Sequence, residues 1–129
     1  MNSCVQIGYA MVALDYFGPE TRKDTAKIWQ DHFKRLTPYM IYDETTHQEC
    51  NFGHLTGYGA KYYGYMWSDV LGQDVFEQIE KAGLLNPEIG KKYIECILGK
   101  GGSKDPNLLL QDFLGREPND KAFFKKLNL

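Results

Sequence analysis

With 129 residues, the chain has close to the commonest size of a single domain, and one hydrophobic core is the expectation. Hydrophobic residues make up 43% and charged residues 25%, an ordinary globular balance that excludes disordered, collagen-like and low-complexity classes. Fifteen Lys plus Arg against seventeen Asp plus Glu leave a formal charge of -2. No global field then draws in phosphate backbones or anionic lipid, so neither nucleic acid nor membrane is an expected partner.

From Met1 to Leu14 no residue is charged, but the run is shorter than the roughly 20 apolar residues of a membrane span. It also lacks the basic start and cleavage site of a signal peptide. It reads as a helix over about 5–17, apolar nearly all round and closed by Gly18-Pro19. Such a helix needs cover on every side. Cys4 in this run, with Cys50 and Cys96, forms an odd set without a CxxC pair, which fits reduced thiols of an intracellular protein.

A second helix over about 20–36 carries Ala26, Trp29, Phe33 and Leu36 on one stripe, with charged residues between them, the pattern of a helix lying on a core. His32 on this helix reads as a surface or boundary residue. Thr37-Pro38 closes it. Residues 37–60 hold no lasting period and read as a long Gly/Tyr-rich loop, a length that in compact domains usually signals function. Residues 61–129 return to helices. The first is over about 61–82, with Gly83 as its stop. Asn86-Pro87-Glu88 opens the next, to about Leu98, and Asp105-Pro106 opens another that Gly115 stops. A short last helix carries Ala122, Phe123 and Leu127. The class is all-α, and no segment shows strand alternation.

The densest chemistry lies in 51–67, where four glycines, a histidine and several aromatics share one segment. Tyr58, Tyr62 and Tyr65 stand at i, i+4 and i+7, which aligns three phenols if the helix starts early enough. On spacing alone, core tyrosines with their hydroxyls tied to the backbone are the simpler reading. His47, Cys50 and His54 offer zinc-type donors in the order H-x2-C-x3-H, but no fourth ligand accompanies them and chance clustering is favoured. Gly99-Lys100-Gly101-Gly102-Ser103 lacks the order and the preceding strand of a P-loop and reads as a turn. Arg116, after the Gly115 stop, is placed to reach a carboxylate or the last carbonyls of its helix.

The stretch His54-Leu55-x-Gly57-Tyr58-x-Ala60-x-Tyr62-Tyr63-Gly64-Tyr65-x-Trp67-Ser68-x-Val70 resembles the C-terminal segment of the thimet oligopeptidase and neurolysin family of zinc metallopeptidases. So do Gly101-Gly102-Ser103-x-Asp105-Pro106, then Phe113-Leu114-Gly115-Arg116-Glu117-Pro118, then Ala122-Phe123. The likeness is continuous from about residue 52 to 129. The single glycine directly before Tyr58 is similar to the mitochondrial intermediate peptidase branch.

The resemblance implies a helical, bundle-like piece of a zincin-type oligopeptidase, with residues 1–129 forming a C-terminal, substrate-side fragment of an enzyme that cuts short peptides. It implies that Tyr65 donates a hydrogen bond to the oxyanion of the tetrahedral intermediate and that His54 assists. Tyr58 and Tyr62 would contact the peptide, and Gly57 and Gly59 would let the loop close over it. The HExxH motif that binds zinc and activates water occurs nowhere in this sequence. Zinc is therefore expected in the full-length parent, on an upstream HExxH-bearing part, with none held by this chain, and the chain alone is expected to be inactive. The resemblance points to the cytoplasm, with the mitochondrion as the alternative. Self-association through exposed core surface is a further expectation. The competing reading is a non-enzymatic helical module that binds peptides.

Overall fold

The computed structural model describes residues 3–129. The described residues form helices and short helical turns, with no strand among them, as the all-α reading requires. They divide into two compact units, the residues up to Trp67 and Ser68–Leu129. Length alone favours one core, but each unit buries an apolar set of its own.

In the first unit, α1 (Ser3–Tyr16) buries Gly8, Ala10, Val12 and Ala13, while Ile7, Leu14 and the following Phe17 are exposed. The helix expected to be covered all round is thus covered on one face. Its C-terminal carbonyls are taken up by Lys23, whose Nζ donates to the Tyr16 carbonyl at 3.0 Å, the Gly18 carbonyl at 2.9 Å and the Asp15 carbonyl. A cation there also matches the negative end of the helix dipole.

The second helix, α2 (Thr25–Leu36), starts later than the periodicity suggests. Asp24 decides the start, because its Oδ1 accepts from the Lys27 N–H at 2.9 Å and satisfies an orphan donor of the first turn. Trp29 and Phe33 face inward. Phe33 lies so close to α1 that a Cβ on Gly8 would sit 3.0 Å from its ring, so glycine there permits the helices' approach. At the end of α2, buried Thr37 donates its Oγ1 hydrogen to the Phe33 carbonyl at 2.7 Å and also pairs with the Tyr42 hydroxyl.

The expected loop is partly ordered into tight turns of 3-10 helix at Gln48–Asn51, Gly53–Thr56 and Gly59–Tyr63. Glycine costs about 1 kcal/mol relative to alanine in an α-helix, and Gly53, Gly57, Gly59 and Gly64 fall in or beside these turns. Consequently α3 (Gly64–Ala82) begins three residues later than expected. The turns deliver Phe52 and Tyr62 into the core with Ala10, Val12, Ala13, Trp29 and Phe33. Tyr9 joins them edge-on, its ring 5.6 Å from Trp29 and 5.3 Å from Phe33.

The boundary between units falls within α3, which ends at Gly83 with φ +99°. Next, α4 (Pro87–Tyr93) starts on Asn86, whose side chain accepts from the Glu88 N–H at 2.9 Å. Its continuation Ile94–Leu98 widens into a π turn and ends where the Gly99 N–H meets the Ile94 carbonyl at 2.7 Å. Asp105 caps α5 (Pro106–Leu114) by accepting from the Asn107 N–H at 2.8 Å. Gly115, at φ +71°, stops it, a left-handed position that costs an L residue about 1–2 kcal/mol. The last helix is α6 (Lys121–Lys126). Val75, Leu109, Phe113, Ala122 and Phe123 are the buried apolar residues of this unit.

The same unit encloses one carboxylate, Asp74, which is 1% exposed. Arg116 donates from Nη1 to its Oδ2 at 2.8 Å and from Nη2 to its Oδ1, and the Asn119 N–H adds a third bond at 2.9 Å. Burial opposes ionisation of this group. Those hydrogen bonds and the guanidinium charge outweigh it and hold the carboxyl below the usual range. Of the two roles the sequence leaves open for Arg116, the structure selects the carboxylate.

Candidate functional site

The four aromatic side chains singled out in the Gly/Tyr-rich segment come together in the first unit. His54 stands in the Gly53–Thr56 turn, and the Tyr58 N–H donates to the His54 carbonyl at 2.8 Å. That bond brings the Tyr58 ring to 5.7 Å from the imidazole. Tyr62 follows in the next turn and Tyr65 in the first turn of α3. The His54 ring meets Tyr62 edge-on at 5.1 Å and Tyr65 at 5.7 Å. Tyr58 and Tyr65 stack 5.3 Å apart with 14° between their planes, and Tyr65 lies 4.9 Å from Tyr62.

The expected single helical face is not the route to this cluster. Tyr58 precedes the helix and Tyr62 sits in a 3-10 turn, yet the tighter turns bring the rings together. Three of the four side chains face outward: His54 is exposed, Tyr58 is 42% exposed and Tyr65 41%. Tyr62 is different. It is 6% exposed, and its hydroxyl donates to Gln6 Oε1 on α1 at 3.2 Å.

Tyr65, which faces outward, and Tyr62, which faces inward, resist ionisation. The neighbouring Tyr58 hydroxyl, with burial second, raises the Tyr65 pKa above the ordinary phenol value. Burial raises that of Tyr62. Around neutral pH these groups carry their protons and are hydrogen-bond donors, the form needed to meet a carbonyl oxygen that gains negative charge.

The glycines beside the cluster differ. Gly59 has φ +55°, a conformation that favours glycine, whereas Gly57 has φ -135°. A Cβ at either would meet no atom within 4 Å. Backbone conformation therefore calls for glycine at 59, while nothing in the fold calls for it at 57.

The zinc-type donors of the sequence do not assemble. The His47 Nδ1 lies 2.9 Å from Glu49 Oε1, and His54 is occupied with the tyrosines. Among the described residues no group of three or more His, Cys, Asp or Glu side chains is placed to hold a metal ion. The donor set on these residues does not fit zinc.

Sequence reasoning passed over two members of this region, Gln6 and Tyr9. Tyr9 lies 4.7 Å from Phe52 and 5.5 Å from Tyr62. One signal pointed to Gln6: a polar amide in an otherwise apolar helix needs a hydrogen-bond partner when it turns inward.

The whole chain, residues 1–129, matches Peptidase family M3. The chain belongs to that family. It is 39% identical over 85 residues to a thimet-like oligopeptidase of Dictyostelium discoideum, covering 65% of this chain and 13% of that protein. Over 76 residues it is 45% identical to oligopeptidase A of Escherichia coli, covering 57% of this chain and 11% of the relative. A mitochondrial intermediate peptidase of Arabidopsis thaliana is 32% identical over 114 residues, 87% of this chain and 16% of the relative. These family M3 relatives are thus far longer than the chain, which spans only 11–16% of their length. Membership makes the His54–tyrosine cluster part of a metallopeptidase-family segment, and M3 peptidases depend in general on zinc.

Proposed function

We propose that this chain is the C-terminal, substrate-side segment of a zinc oligopeptidase that hydrolyses short peptides, and that it supplies donors for the scissile carbonyl. The carrying observation is the convergence of His54, Tyr58 and Tyr65, exposed on one side and backed by buried Tyr62. Tyr65 donates its phenolic proton to the carbonyl oxygen as negative charge develops there, and His54 provides a second polar contact to the same region. Tyr58 binds the peptide alongside. Tyr62 reaches substrate only by releasing Gln6; otherwise it holds the wall of the site. Gly57 and Gly59 give the backbone between His54 and Tyr62 freedom to close on the peptide.

The zinc on which family M3 depends in general would be held by residues outside this sequence, which contains no HExxH, and would supply polarisation and an activated water. The chain alone is therefore inactive, and it works with the metal-bearing part of its parent. No helix among the described residues is long and apolar enough to cross a membrane. The relatives' names include a probable cytosolic oligopeptidase A and a mitochondrial intermediate peptidase, and an intracellular site of action is part of the proposal.

The test is Tyr65→Phe in the full-length peptidase that carries this segment. Deleting one donor aimed at developing charge is expected to lower kcat by about 10² to 10³, with quenched short peptides as substrates. A wild-type rate would refute the donor role.

A further inference from the structure

We infer that Gln6 is a positioning residue of the proposed site, acting through the hydroxyl of Tyr62. The inference rests on the reading of Tyr65 and His54 given above and extends it to α1, which carries none of the proposed substrate-facing groups. Tyr62 is the ring on which both outward donors lean. His54 meets it edge-on with 87° between the planes, and Tyr65 packs 4.9 Å from it. Its other neighbours are the core rings of Phe52 at 5.0 Å and Tyr9 at 5.5 Å.

A phenol buried among rings has one polar atom to satisfy, and the partner is Gln6 Oε1 at 3.2 Å. The bond links residues 56 positions apart, tying α1 to the turn that precedes α3. Without that acceptor the hydroxyl must turn toward water or shift the ring to find another partner. Either movement reaches Tyr65 and His54 directly, because both touch the ring. Catalytic donors tolerate little such displacement, since small errors of placement cost large factors in rate.

The experiment compares Gln6→Met, Gln6→Glu, Tyr62→Phe, Tyr65→Phe and the Gln6→Met/Tyr62→Phe double variant in the full-length peptidase. Methionine keeps the length of the side chain without the carbonyl acceptor; glutamate restores an oxygen acceptor at the same reach. Gln6→Met is expected to lower kcat about tenfold with KM within about twofold, and Gln6→Glu to recover most of it. The double variant is expected to lose no more than the worse single one, because both act on the same bond. Additive losses, or failure of Gln6→Glu to recover rate, would overturn the positioning role and leave Gln6 an ordinary packing residue. A normal kcat in Gln6→Met beside a strong loss in Tyr65→Phe overturns the role of Gln6 alone. A normal kcat in Tyr65→Phe overturns the donor reading, and the positioning inference with it. Should Gln6→Met fail to fold, Tyr62→Phe decides: it retains the ring, removes the same bond, and must reproduce the kcat loss with KM unchanged.

Discussion

Arg116→Met removes both guanidinium bonds from a carboxylate that water barely reaches. Asp74 is 1% exposed at its side chain, whereas Arg116 is 35% exposed. Removing one partner from a fully buried ion pair costs about 3–5 kcal/mol, because the remaining charge stays desolvated. The exposed edge of Arg116 reduces this, and the Asn119 N–H still donates to Asp74 Oδ2 at 2.9 Å, so a loss of about 2–4 kcal/mol is expected. Urea unfolding followed by circular dichroism checks it. With a urea slope of about 2 kcal/mol/M, the midpoint falls by about 1–2 M. The double variant Asp74→Asn/Arg116→Met should be more stable than Arg116→Met alone, since no uncompensated charge remains. The pH dependence has a definite sign. The folded carboxyl lies below the unfolded value of about 3.9, so its stabilisation is present above that pH and is lost as pH falls through the lower folded value. Asp74→Asn should remove this acid-dependent part. A midpoint shift under about 0.3 M for Arg116→Met, or a double variant no better than the single, would refute the account.

Further outcomes follow from the site and the core. Gly59→Ala should destabilise by about 1–2 kcal/mol from its left-handed backbone alone, whereas Gly57→Ala should change thermal stability by less than about 0.5 kcal/mol. A kcat loss in Gly57→Ala without a change in melting would then report on loop closure. Gly8→Ala brings a Cβ to 3.0 Å from the Phe33 ring; an overpacking cost of about 1–3 kcal/mol, offset by the roughly 1 kcal/mol that alanine gains over glycine in a helix, should leave a net loss of about 0–2 kcal/mol in urea unfolding. Tyr58→Phe should lower the Tyr65 pKa toward the ordinary phenol value, because the Tyr58 hydroxyl is the leading cause of its elevation. Ultraviolet phenolate titration measures this. Tyr65 donates while protonated, so its contribution fades as pH rises through the folded value and fades at lower pH in Tyr58→Phe.

The caps and stops were legible because they are local. Asn86, Asp105, Gly83 and Gly115 each act within a few residues of themselves, and the structure finds them in the expected roles. The start of α2 was misread because Glu20 after Gly18-Pro19 is as plausible a first-turn residue as any, and the bond from Lys27 to Asp24 becomes visible only in three dimensions. The membership of His54, Tyr58, Tyr62 and Tyr65 in one group could be read from the motif. Their division into three outward side chains and one buried one could not. That division is set by Tyr9, Phe52 and Gln6, two of which lie more than fifty residues from Tyr62 in the chain.

By itself the sequence determined an all-α protein, the order of its helices, the family resemblance and the aromatic segment that carries it. These depend on composition, short-range hydrogen bonding and motif order, all of which survive in one dimension. Only the tertiary structure decided that Asp74 is the partner of Arg116, that the glycines make 3-10 turns where a longer α3 was expected, and that the Tyr62 hydroxyl is held by Gln6. Each of those outcomes rests on burial, which makes an unpaired polar atom costly and so fixes partners that no spacing rule reveals.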